Sequence, residues 1–188
     1  SSTAQIYAEQ ISGKVDKINS GSLELVSLAA SSQNYYTSSP LGRYLTQQDI
    51  LTRLQDRIRY VESSDLYFFY RTDSDELLTA LSNRPSIGSS YFWNQYLMLP
   101  PTQPANTWFS VTCNGETWLM CYYNVSQVRV GAAVRAKTLL QSLYADTGLV
   151  QDSGFALAGL DGTIVYSSQP DLMACGTSLA GHIPASLI

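Results

Sequence analysis

Aromatic side chains are the groups with which this chain could hold a small molecule. Tyr91, Trp93 and Tyr96 cluster within one proline-rich segment, Trp108 and Tyr122 lie on neighbouring β-rich runs, and Arg129 follows on a third. Aromatic walls with one or two polar anchors describe most small-molecule sites. Arg129 is the sole basic residue in the run 107–134, and a guanidinium can fix a carboxylate through paired hydrogen bonds. These six residues form the candidate ligand site. The plainer alternative makes the aromatics ordinary core and Arg129 a solvated charge on an outward face.

Catalysis has less to draw on. His182 is the only histidine, which removes His-based triads and His-based metal clusters. No phosphate loop, dinucleotide fingerprint, nucleophile elbow or EF-hand pattern occurs. Asp73, Asp75 and Glu76 are simplest as a solvated turn. The expectation is a protein that is not an enzyme and uses no cofactor or metal; for a hydrolytic enzyme, the alternative, only carboxylate or lysine chemistry is left. Cys113, Cys121 and Cys175 are three in number and lack metal-ligand spacing. Across the Asn114-Gly115 turn Cys113 faces Glu116 and Cys121 faces Trp108, so the two hairpin cysteines point to opposite faces and are not expected to bridge.

The elements that must position these residues begin with a hairpin. Residues 108–113 and 116–123 flank Asn114-Gly115, the strongest short-range signal for a tight β-turn. Asn124-Val125-Ser126 reads as a short break before a third β-rich run, Gln127–Val134. A helix is expected from Arg135 to Asp146. A second strand pair, Gly154–Leu160 and Gly162–Ser167, is joined at Asp161-Gly162. Upstream, Leu66–Tyr70 is a strongly apolar strand interior to the sheet, with Leu77–Leu81 pairing back on it. Residues 82–105 carry Pro85, Gly88, Pro100, Pro101 and Pro104 and read as an irregular loop with its own aromatic cluster.

Residues 3–36 carry a seven-residue repeat: Ala4, Ala8, Ile11, Val15, Ile18, Ser22, Leu25, Ala29 and Ser32 recur at alternating spacings of four and three. The apolar face broadens from Leu23 through Val26, Leu28 and Ala30. One helix that starts as a stalk and ends docked on its domain fits this pattern, and its seam offers a surface to a second copy. An ordinary scaffold helix without a dimer seam fits as well. Ser38-Ser39-Pro40-Leu41-Gly42 reads as a break, followed by a helix over 46–61 with Thr46 as N-cap and Ile50, Leu51, Leu54, Ile58 and Val61 on one face.

Composition narrows the class. The chain has 188 residues, 45% of them hydrophobic, enough for a proper core. Net charge is −4 with no basic stripe, which argues against nucleic acid and against an anionic membrane surface. No apolar run approaches the ~18–20 residues of a membrane span. The chain starts without Met and stops abruptly, as a fragment of a longer protein would, with any membrane contact made by flanking segments. Together these features predict an α+β fold: a long N-terminal helix and an antiparallel sheet flanked by helices.

The order of these elements resembles the Cache family of bacterial extracytoplasmic sensor domains, which have PAS-like folds. The likeness runs through the long first helix, the second helix, the strand at 66–70, the aromatic loop and the strands over 107–134. It includes Arg129-Val130-Gly131-Ala132-Ala133-Val134 leading into a helix, similar to the family's "vGvvi" ending, and the later strand, Asp161-Gly162, strand pair. The resemblance implies a stalk helix over 1–36, a membrane-distal module over 37–150 and the opening of a second, incomplete or reduced module over 151–188. It also implies small-molecule sensing outside the cytoplasmic membrane for a histidine kinase, chemoreceptor or cyclase. The amino-acid-binding subset uses a Tyr, Arg, Trp-Tyr and Asp constellation; Arg84 and Tyr91-Phe92-Trp93 fall in that region with different spacing, so those roles are not carried over. The competing expectation is a structural dimerisation module with no small ligand.

Overall fold

The structure is a computed structural model that describes residues 2–32, 39–60, 65–74, 76–81, 105–113, 115–145 and 154–182. It is an α+β fold in which a long N-terminal helix lies on a five-stranded antiparallel sheet.

Helix α1 (Ser2–Ser31) follows from the seven-residue seam. Ile11, Ile18, Ser22, Leu25 and Ala29 form one stripe, each no more than 7% exposed, and that stripe meets the sheet. Docking thus begins at Ile11, earlier than the change of pattern at Leu23 predicts. Leu23 itself is 52% exposed, and Ala30 also faces outward. From Ile11 onward the seam is packed against the chain's own strands, while Ala8 faces outward; of the broader face, Val26 and Leu28 pack against the core half-buried and Leu23 and Ala30 do not. Gly21 has a packing reason: a Cβ there would run into the phenol of Tyr67, whose hydroxyl donates to the Ile18 carbonyl at 3.5 Å.

Helix α2 spans Pro40–Tyr60, so it starts earlier than the predicted N-cap at Thr46. Pro40 opens the helix instead of breaking it, because the first helical N–H needs no partner. The Ser39 hydroxyl accepts from Gly42 N–H at 3.1 Å and caps the end. Thr46 sits inside, its hydroxyl donating to the Gly42 carbonyl at 3.0 Å. Ile50 and Leu54 are buried and Leu51 and Ile58 half-buried, on the predicted face.

The sheet contains β1 (Leu66–Arg71), β2 (Glu76–Leu81), β3 (Phe109–Cys113), β4 (Glu116–Val125) and β5 (Val128–Arg135), in the order β2-β1-β5-β4-β3. Cys113 pairs with Glu116 in the predicted hairpin register, and Gly115 takes φ +77°. β4 continues through Asn124 and Val125 where a break was expected. The reversal falls at Ser126-Gln127, with Ser126 in the left-handed region at φ +54° and Val125 paired to Val128. Every residue of β1 and β5 is buried, as strands covered on both faces require.

After β5 the expected single helix is two short ones, α3 (Ala136–Leu139) and α4 (Gln141–Ala145). Arg135 belongs to β5: its backbone is extended and it pairs with Trp118. A hairpin of β6 (Ala156–Ala158) and β7 (Ile164–Ser167) follows, shorter than predicted and irregular between Leu157 and Ala158. Its turn is set by Gly162 at φ +81° and by Thr163 N–H donating to the Asp161 carboxylate at 2.9 Å. Val165 joins the helix-side core, with Phe155, Leu157 and Tyr166 packed against that core.

Candidate ligand-binding face

Strand alternation divides the sheet into two apolar faces. Tyr67, Phe69, Leu119, Val130, Ala132 and Val134 point toward the helices. Leu66, Phe68, Tyr70, Val111, Trp118, Met120, Tyr122 and Ala133 form a second buried cluster on the opposite face. Among the described residues this second cluster is made by the strands with Ala105, and no helix contributes to it. The sequence separated Trp118, Met120 and Tyr122 from Leu119, Cys121 and Tyr123 without orienting them; the first set is the one turned away from the helices.

The middle of the second face is built around Gly131. It pairs with Phe68 on one side and Tyr122 on the other. A Cβ at Gly131 would overlap the Cys121 carbonyl oxygen, the Tyr122 backbone and the Phe68 ring. Its missing side chain lets β4 approach closely and the Phe68 ring lie over β5.

One pleat away, Arg129 pairs across the sheet with Tyr70 and Asn124. Its guanidinium carbon sits 5.0 Å from the Tyr122 ring centroid, a cation–π contact, and its Nε donates to Asn124 Oδ1 at 3.3 Å. Arg129 is 9% exposed, so it is not a solvated charge on an outward face. Burial raises the Tyr122 phenol pKa, and the Arg129 charge works in the opposite direction. Phe109 meets Tyr122 edge-on, with ring centroids 6.1 Å apart.

A parallel arrangement at the end of β5 was not anticipated from sequence. Arg135 stacks over Trp118 at 4.9 Å from the ring centroid, with its Nε 3.2 Å from the Glu116 carboxylate. Its backbone N–H donates to the buried carboxylate of Asp65 at 2.9 Å. The period-two spacing Arg129, Gly131, Ala133, Arg135 was the available signal.

Of the six predicted site residues, Tyr122 and Arg129 are brought together. Trp108 lies against the helix-side cluster, on the other face from Tyr122. Its indole Nε1 is buried without a hydrogen-bond partner among the described residues. Tyr91, Trp93 and Tyr96 lie outside the described residues. A separate cleft of about 340 Å³ lies between α1 and α2, with Leu25 and Leu28 among its lining residues. Its charges are partly matched internally: Arg57 pairs with Glu24 across the helices, and Arg53 pairs with Asp49 at 3.3 Å.

Cys121 is buried on the helix side, and burial pushes its thiol up to about 11. Among the described residues no group of three or more His, Cys, Asp or Glu side chains could hold a metal ion. No described helix is long and apolar enough to cross a membrane. The chain matches no protein-family model, and no curated protein shows significant similarity to it.

Proposed function

We propose that this chain is the extracytoplasmic small-molecule-sensing domain of a bacterial membrane receptor, of the PAS-like Cache type, and that its ligand engages the sheet face carrying Arg129 and Tyr122. The observation that carries this reading is a buried guanidinium stacked on a tyrosine, on the aromatic face opposite α1. A guanidinium held against an aromatic ring is a preorganised anchor for an anionic group such as a carboxylate, which it can meet through paired hydrogen bonds. The fold also favours signalling. α1 is docked on the helix side of β4 and β5, so a ligand that alters those strands on one face acts on the long helix at the other. It can shift that helix only by its difference in affinity for two states of the domain. Membrane attachment would lie in flanking segments, and the output would be a kinase, chemoreceptor or cyclase.

A thermal-shift panel of amino acids, organic acids, sugars, nucleosides and amines tests the reading. An anionic hit supports it. A response confined to neutral or cationic compounds removes the role of Arg129. No response to any compound leaves the dimerisation module as the better account.

A further inference from the structure

Strand β5 carries Arg129 and then leads directly into α3 and α4. Ala136, Leu139, Leu140 and Leu143 are all buried, so α3 and α4 are held firmly against the body. The last turn of α4 presents Tyr144. Its hydroxyl is hydrogen-bonded to that of Tyr166 on β7. Phe155, just before β6, stands edge-on to Tyr144 with centroids 5.5 Å apart and lies 6.3 Å from the Tyr166 ring. Beside this aromatic group, Ile164 and Val165 are buried, with Val165 in the helix-side core.

We propose that the Tyr144–Tyr166 hydroxyl pair, backed by Phe155, is a clasp that makes the 154–182 segment move with β5, giving the sheet a second mechanical outlet besides α1. The clasp joins the end of α4 directly to the middle of β7, more than twenty residues further along the chain. Its position favours coupling, since the rings are half-buried and the hydroxyls satisfy each other where water is partly excluded. Burial and the hydroxyl contact both hold the Tyr166 phenol in its protonated form. The inference concerns the ligand-free chain and does not depend on the sensing role proposed above.

Amide hydrogen exchange on the whole chain, with Tyr144→Phe, Tyr166→Phe and the double variant, tests it. Each substitution keeps the ring and removes one hydroxyl, so the fold is retained. Losing one partly buried hydrogen bond corresponds to roughly a fivefold to tenfold change in an opening equilibrium. The expected result is exchange faster by about that factor at Leu157, Val165 and Tyr166 in each single variant, little further change in the double variant, and unchanged exchange in β1 and β5. Unaltered hairpin exchange in both single variants would overturn the proposal. So would an equal rise in β1 and β5, because the hydroxyl pair would then support the whole body and not a joint.

Discussion

Tyr122 and Arg129 sit on adjacent strands, one pleat apart, with the guanidinium 5.0 Å from the phenol ring centroid. The contact depends on strand parity: Tyr122 pairs with Gly131, and Arg129 is the next residue of β5 on the same face. A side chain at 131 would press on the backbone of Cys121 and Tyr122 and on the Phe68 ring, so the close pairing of β4 with β5 that sets this contact depends on the glycine.

Gly131→Ala is expected to destabilise the chain by about 1–3 kcal/mol, the usual range for overpacking a core. The added methyl meets backbone on Cys121 and Tyr122 as well as the Phe68 ring, so side-chain movement alone cannot accommodate it. Denaturant unfolding measures the change. A neutral result would mean that β4 and β5 separate more easily than their pairing implies.

Gly21→Ala sets helix propensity against packing. Propensity favours alanine in a helix interior by roughly 1 kcal/mol. Packing opposes it, because the new methyl would collide with the fully buried phenol of Tyr67. The substitution is expected to destabilise the wild-type chain and to cost less in a Tyr67→Phe background, where the hydroxyl is gone. A double-mutant cycle reads the difference. Stabilisation by Gly21→Ala in the wild type would show that α1 does not pack as closely on β1 as described.

The cysteines give a prediction in pH. Cys175 is exposed and Cys121 buried, so a small maleimide at pH 8 should label Cys175 and leave Cys121 unmodified until the chain unfolds, as peptide mass mapping would show. Burial pushes the Cys121 thiol from its ordinary 9.0 up to about 11. Between those values the unfolded chain has released the proton that the folded chain retains. Stability from this group is thus complete below pH 9 and is lost as pH rises toward 11. Tyr122, Tyr123 and Tyr166, all shifted upward, act in the same direction at higher pH. An unfolding midpoint that holds steady from pH 9 to 11 would contradict the burial of these groups.

Much of the fold was legible because its strongest signals were local. Asn114-Gly115 set the register that pairs Cys113 with Glu116, and the heptad seam identified the stripe of α1 that is buried. The Ser126-Gln127 reversal was missed because it contains no glycine; the pairing of Val125 with Val128 holds Ser126 at positive φ. Pro40 was misread as a breaker because the same residue opens a helix when it stands at the first position. Arg135 was assigned to a helix by the helix-forming residues after it, although the alternation from Arg129 continued through it. The candidate site was legible only in part. The register that sets Cys121 opposite Trp108 already puts Trp108 on the other face from Tyr122, and grouping the two in one site passed over it.

The most direct test of the sensing role runs the same ligand panel by thermal shift on the wild-type chain and on Arg129→Gln side by side. A ligand at 100 times its dissociation constant adds about 2.7 kcal/mol, roughly 5–10 °C for a domain of this size. The account predicts an anionic compound that raises the wild-type midpoint by that amount and raises the Arg129→Gln midpoint much less. An equal shift in both proteins would contradict the role of Arg129, and no shift in the wild type would contradict small-molecule sensing itself.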